Sequence, residues 1–355
     1  MTISKEFFGK TNDGVEVEIF TLKNSTGMEA KITTYGGTIV SLIAPDKNGN
    51  FNDVVLGYDT LDGYLKGDKF FGALIGRCGN RIENGKFTIN GADYTVATND
   101  GSNHLHGGQK GFDKVVWTVD TINDKCNTLK LTYISRDGEE GYPGTLNVTV
   151  IYTLTEDNAL SINYKAVSDK DTLVNLTNHS YFNLAGHASG DILNQNLMIN
   201  SDKFTVNDKY SIPTGEVRNV AGTPMDFRIL TPIGNNINAT DYDQIVFGSG
   251  YDHNWILNTN GDISEKAAQL FDENSGRVMD VYTTTPGVQF YSSNFLDGSD
   301  IGKGGTSYNK RTGVCLETQY VPNAINVDKF ESPILKAGEE YNHTTIYKFS
   351  IAKHN

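Results

Sequence analysis

Apolar and polar residues alternate in short runs along much of the chain, separated by turns rich in Gly, Asn and Asp. A period of two sends successive side chains to opposite faces of an extended backbone, so each run reads as a half-buried strand. Residues 15–20, 114–119, 128–134, 146–152 and 160–164 all follow this rule and read as antiparallel neighbours. Residues 86–89 and 92–96 flank Asn90-Gly91, the pair that a type I′ hairpin turn demands. Helical periodicity is weak, with room for a short helix around Asp59 to Leu65 or near Phe227. The β-α alternation of a dinucleotide-binding or barrel enzyme is missing, and no repeat or linker divides the sequence. The expected fold is all-β: one large antiparallel β-sandwich domain over residues 1–355 with few short helices.

Composition narrows what such a sandwich can bind. With 43 Asp and Glu against 30 Lys and Arg, the net charge of -13 repels polyanions, which disfavours nucleic acid and anionic membranes as partners. No apolar stretch is long enough to span a bilayer. The 18 Tyr, 17 Phe and 7 His suit polar and aromatic pockets for an uncharged small molecule. The N-terminal residues 1–8 carry no leader pattern, and the three cysteines are odd in number without C-x-x-C spacing, so a cytoplasmic setting is expected. Sequons at Asn147 and Asn178 read as chance in an Asn-rich chain; a glycan on Asn178 would cover His179.

Several clusters hold candidate chemistry. Glu317 sits in Val314-Cys315-Leu316-Glu317-Thr318-Gln319, where burial would raise its proton affinity and suit a general base; an outward-facing surface Glu is the bland alternative. His179, in 174–184, reads as sharing a strand face with Thr177 and Asn175, its tautomer fixed by Asn178, Ser180 and Asn183. It is a candidate general acid or a structural histidine. In 75–82, Gly-rich backbone surrounds Arg77, Asn80 and Arg81, and the two arginine guanidiniums could fork onto hydroxyls, or stand in an exposed turn with no specific partner. His104 and His106 read as sharing one strand face, as in a cupin-type metal site, but no carboxylate follows before Asp113, so hydrogen bonding to substrate or water is preferred to metal. Tyr251-Asp252-His253-Asn254-Trp255 has the acid and aromatic content of a sugar site. No G-x-S-x-G elbow, P-loop or dinucleotide fingerprint occurs. Asp252 and Glu317 together leave a glycosidase open.

In their order and spacing these strings resemble the aldose 1-epimerase (galactose mutarotase) family: Gly76-Arg77, Asn80-Arg81-Ile82, His104-Leu105-His106-Gly107-Gly108, the turn 137–144, Thr177 to Leu184, Pro286-Gly287-Val288-Gln289-Phe290-Tyr291 and Cys315 to Gln319. The resemblance implies a β-supersandwich that interconverts the α and β anomers of free aldohexoses without cofactor or metal. It implies Glu317 as the base at the C1 hydroxyl and His179 as the acid at the ring oxygen. Asn80, Arg81, His106, Asp252 and Gln289 are implied to hold sugar hydroxyls or support the ring oxygen. An ionised Glu317 beside a protonated His179 would stabilise each other. Rival readings are an epimerase of hexose 6-phosphates using Arg77 and Arg81, a non-catalytic sugar-binding module, and a β-sandwich glycosidase or lyase. Monomer and homodimer are equally open.

Overall fold

The structure is a computed structural model that describes residues 2–352; Met1 of the N-terminal segment lies outside them. Among the described residues three large antiparallel sheets carry most of the chain, beside four two-stranded pairs. The first runs Thr2–Lys10, Glu16–Lys23, Glu29–Thr33, Ile39–Pro45, Phe51–Asp53, each strand beside its sequence neighbour. The second has nine strands. Thr118–Asn123, Thr128–Ser135, Leu146–Leu154 and Ala159–Ser168 lie side by side, then Glu340–Ile351, Arg277–Thr283, Ala268–Phe271, Asn196–Ile199 and Thr231–Pro232 complete it. The third is Pro213–Asn219, Lys203–Asn207, Asp252–Ile256, Gly287–Tyr291 and Cys315–Gln319.

Alternation explains how these sheets stack. In Leu146–Leu154 every second residue is buried, and the inward members of all three sheets meet in one apolar core that includes Phe20, Leu42, Val150, Ile162, Trp255, Phe290 and Leu316. The all-β sandwich expected from period-two patterning is the fold observed. The Asn90-Gly91 hairpin joins Lys86–Ile89 to Ala92–Thr95 with φ of 52° and 78°, the left-handed pair its sequence demands.

One local expectation fails for a physical reason, and another is met at one of its two places. Residues 114–119 do not form a strand throughout; Phe112–Lys114 is a 3-10 turn, and the backbones of Val115 and Trp117 pair with Gly36 and Thr34 of the first sheet's end. Regular pairing starts only at Thr118. The short helix near Asp59 is present as Leu61–Lys66, but the segment at Phe227 is a turn pinned by the Arg228 to Asp226 ion pair, and the second helix is Asp243–Gly248. Six residues are too few to register as periodicity.

A buried ion pair ties the loop after the third sheet's fourth strand to the first sheet. Lys303 Nζ lies 2.5 Å from Asp53 Oδ2 and donates to Val40 O at 2.8 Å, while Asp53 Oδ1 accepts the N–H groups of Leu42 and Val55. Removing one partner strands the other charge in a low-dielectric site. Lys303→Ala is therefore expected to cost about 3–5 kcal/mol in urea unfolding; a loss below about 1 kcal/mol would mean that solvent screens the pair.

Candidate acid-base site

The third sheet presents a polar face and an apolar one. Its register sets Asn254 opposite Gln289 and Gln289 opposite Glu317, with Asp252, Tyr291 and Cys315 in the adjoining row. The intervening His253, Trp255, Val288, Phe290 and Leu316 turn into the core. This resolves the odd position of Glu317: Leu316 faces the core, whereas Glu317, only 2% exposed, faces a cleft.

His179 reaches that cleft from a neighbouring segment. Thr177–Asn178 pairs with Leu74–Ile75, and His179 then bonds Ala73 O through its N–H and receives Gly72 N–H on its carbonyl. Its ring Nε2 lies 3.5 Å from Glu317 Oε1 and its Nδ1 3.7 Å from Cys315 Sγ. The expected tautomer-fixing contacts are not made. Asn178 bonds Gly72 O and Ser180, and Asn183 bonds the carbonyls of Gly190 and Thr312, so both brace backbone. Asn178 is 1% exposed, which removes it as a glycan acceptor.

The two histidines of His104-Leu105-His106 do not share a face. The strand ends at Leu105, and His106 is left-handed with φ of 51°, which breaks the alternation. His104 points inward, its Nδ1 on Ala97 O and its Nε2 on the Tyr142 hydroxyl. His106 turns into the cleft, where its Nδ1 accepts Asn80 N–H at 3.1 Å. Gly107 follows because a Cβ there would sit 1.9 Å from Gly76 O.

Arg81 and Arg77 have opposite fates. Arg81 lines the cleft, held by Asp100 at 2.7 Å. Arg77, 2% exposed, spends its guanidinium on Ser135, Thr172 and the carbonyls of Arg136, Pro143 and Gly144. It is a structural clamp for the turn 137–144 and has no donor left for a ligand.

The cleft has a volume of about 420 Å³ and brings together Asn80, Arg81, His106, His179, Asp252 and Glu317. Gln289 stands behind them and donates its amide to Asp252 Oδ1 at 2.7 Å. Sequence reasoning missed the aromatic walls. Tyr251 and Trp255 donate to Pro224 O and Met225 O and pack in the core; the rings that line the cleft are Phe70, Tyr181, Tyr291 and Phe295. Phe70 has φ of 58° and packs against the rings of His106 and His179, at 4.8 and 5.7 Å. Backbone strain of that kind collects at functional sites. Asp100 was missed as well.

Burial controls the protonation of the pair. It pushes Glu317 well above the usual carboxylate range, helped by the negative Asp252 and opposed by Arg81, and it pulls His179 down to about 4. His106 is also driven well below its ordinary value by burial and then by His179. The mutual stabilisation of full charges expected from sequence is thus opposed by desolvation, which favours the neutral forms of both groups. Nitrogen and oxygen atoms of His106, His179 and Glu317 lie within 4.8 Å of one another, the spacing of a metal-ligand set. The donor set does not fit a metal, since Asn80 N–H occupies Nδ1 of His106 and leaves the proton on its Nε2. His106 is a hydrogen-bond donor.

A buried carboxylate and imidazole, walled by aromatics and flanked by a fixed guanidinium on a β-sandwich, make this cleft a candidate acid-base site. Residues 18–348 match the family described as aldose 1-epimerase, and the chain belongs to that family. It is 45% identical over 353 residues to galactose mutarotase of Bos taurus, covering 99% of this chain and 100% of that one. It is 38% identical to aldose 1-epimerase of Escherichia coli strain K12, covering 95% and 96%. Among solved structures it is similar to galactose 1-epimerase from Lactobacillus acidophilus, with a TM-score of 0.85, 28% identity and 99% of each chain covered. A GalM/aldose epimerase homologue from C. elegans superposes with a TM-score of 0.86 at 29% identity, covering 94% and 99%. Among the described residues no helix is long and apolar enough to cross a membrane.

Proposed function

We propose that this protein is an aldose 1-epimerase that interconverts the α and β anomers of free aldohexoses such as galactose and glucose. The observation that carries this reading is the buried His179–Glu317 pair, 3.5 Å apart, in a cleft of a chain that belongs to this family. Opening a hemiacetal needs one group to take the C1 hydroxyl proton while another gives a proton to the ring oxygen. Glu317 takes the first and His179 supplies the second; the bond from C1 to the ring oxygen breaks and leaves an aldehyde. Rotation about C1–C2 presents the other face, and reversal of both transfers closes the ring.

The proton count is conserved. The cyclic sugar meets ionised Glu317 with protonated His179, the open aldehyde meets neutral Glu317 with neutral His179, and these two states differ only in where one proton sits. Burial favours the neutral pair, so the ion pair that opens the ring is the less populated arrangement and depends on the polar groups around it for support. Around the reacting atoms, His106 offers Nε2–H, Arg81 is aimed by Asp100, Asp252 is held as an acceptor by Gln289, and Asn80 adds its amide.

The pH dependence follows with its sign. Activity requires one shared proton, so it falls on the acid side as His179 gains a second near its lowered value of about 4. It falls on the alkaline side as the last proton leaves Glu317, whose value is raised well above the carboxylate range. A bell in kcat/KM with its acid limb close to pH 4 is expected from stopped-flow polarimetry. An acid limb near 6.5, the ordinary histidine value, would show that His179 is not desolvated in the working enzyme.

Free sugars are favoured over hexose 6-phosphates. Arg77 is withdrawn into the fold, Arg81 is committed to Asp100, and Lys69 at the cleft is paired with Asp68 at 2.7 Å. Rates of anomer interconversion on galactose, glucose, xylose and glucose 6-phosphate test this. Galactose and glucose are expected to exceed the phosphate ester in kcat/KM by at least about tenfold, and the reverse order overturns the assignment.

A further inference from the structure

Beneath the cleft lies a second polar layer that the acid-base chemistry leaves unexplained. Seven buried side-chain atoms with no partner among the described residues belong to five neighbouring residues: Glu317 Oε2, Gln289 Oε1, both amide atoms of Asn254, both of Gln319, and Thr177 Oγ1. All five residues are 2% exposed or less. Asn254, Gln289 and Glu317 are directly opposite one another in register, and Gln319 is the next residue on the same face of its strand. Thr177 joins them from the adjacent segment. That segment runs antiparallel beside the strand, because Phe182 bridges Val314, His179 meets Glu317, and Asn175 bonds Tyr320 N–H. This alignment places Thr177 level with Gln319. Gly287, opposite Gln319, makes the room: a Cβ there would lie 2.6 Å from Asn254 Oδ1.

A buried polar atom without a partner costs about 1–3 kcal/mol, so seven in one patch are untenable unless something polar satisfies them. The occupant must be small and must both donate, to Glu317 Oε2, Gln289 Oε1 and the amide oxygens of Asn254 and Gln319, and accept, from the amide N–H groups of Asn254 and Gln319, which excludes an anion beside the carboxylate and a bare cation beside the amide donors. Water meets these conditions. We propose that Thr177, Asn254 and Gln319 hold a cluster of ordered water that donates to Glu317 Oε2, the oxygen turned away from His179. Through that water they act as positioning residues for the base, stabilising its ionised form against the desolvation imposed by the core. This rests on Glu317 being the base.

The test is the pH profile of kcat/KM for Thr177→Val, Gln319→Met and Thr177→Ser beside Glu317→Gln. Thr177→Val and Gln319→Met remove water-binding atoms at nearly constant volume, so the Glu317 anion loses donors and its proton affinity rises. The alkaline limb is expected to move up by about one pH unit, with kcat down about tenfold and KM little changed. Thr177→Ser keeps the hydroxyl and is expected to keep the wild-type profile. An unmoved limb in both substituted forms, with or without a loss of rate, overturns the proposal. If Glu317→Gln is inactive while that limb stays put, only the water layer is refuted; if Glu317→Gln is active, the base assignment itself fails. A crystal structure of the wild-type protein gives a reading independent of the variants' folding. Water bonded to Glu317 Oε2 and to the Thr177 or Gln319 side chain is expected, and a patch closed by direct side-chain contacts contradicts it.

Discussion

Glu317→Gln is expected to lower kcat for galactose anomer interconversion by about 10³-fold or more and at the same time to raise the melting temperature. The rate loss follows because an amide takes no proton from the C1 hydroxyl, and acid-base groups of this kind contribute about 10²–10⁴-fold. The gain in stability follows from burial. In the unfolded chain the carboxylate ionises at its ordinary value, whereas in the fold its proton affinity is raised well above that range. Its stability contribution is intact below the unfolded pKa and is lost as pH rises through the folded one. At neutral pH the wild-type protein carries that cost and the amide does not. A gain of about 1 kcal/mol, or about 2 °C in melting temperature for a chain of this size, is expected at pH 7 and should vanish near pH 4. His179→Asn should lose a comparable factor in kcat, with galactose binding retained in both variants. An unchanged melting temperature together with full activity in Glu317→Gln would remove both arguments at once.

Arg77→Met is expected to destabilise the protein by at least about 4 kcal/mol, among the largest effects of any single change outside the cleft. Methionine matches the stem of arginine but donates nothing. The carbonyls of Ser135, Arg136, Pro143 and Gly144 and the hydroxyl of Thr172 would lose their shared donor inside a buried turn. Each orphaned group costs about 1–3 kcal/mol. Denaturant unfolding measures the loss, and a change below about 1 kcal/mol would show that water reaches the turn. An effect on phosphate-ester turnover without an effect on stability would instead return Arg77 to the binding site.

These two residues also show what a sequence discloses and what it withholds. Period-two patterning predicted the sandwich because the signal is local: every second residue of Leu146–Leu154 is buried in the fold as in the pattern. The residues that the fold brings together in the cleft were legible as polar intrusions in apolar or Gly-rich strings, and the roles proposed for them come from the resemblance of those strings to a family. What was lost depends on contacts between distant segments. Arg77 and Arg81 look equivalent in a Gly-rich loop, and only the packing of 135–144 against the first separates clamp from cleft residue. His104 and His106 look like one strand face until a left-handed backbone at His106 turns one ring away. Phe70 and Phe295 gave no signal, and Tyr291 stood only at the end of a matching string, since an aromatic in a loop or strand is far more often core than wall. The water layer was invisible for the same reason: Asn254 and Thr177 meet Gln319 only across the folded sheet.

The central claim is that this pocket opens and recloses a sugar ring by passing one proton between Glu317 and His179. The most direct measurement is the optical-rotation decay of freshly dissolved α-galactose with catalytic amounts of purified wild-type, Glu317→Gln and His179→Asn protein, alongside galactose dissociation constants for all three. Rapid decay with the wild type, decay at close to the buffer rate with either variant, and dissociation constants within about threefold of wild type are the predicted result. Decay near the wild-type rate with either variant, or no acceleration by the wild type, would contradict it.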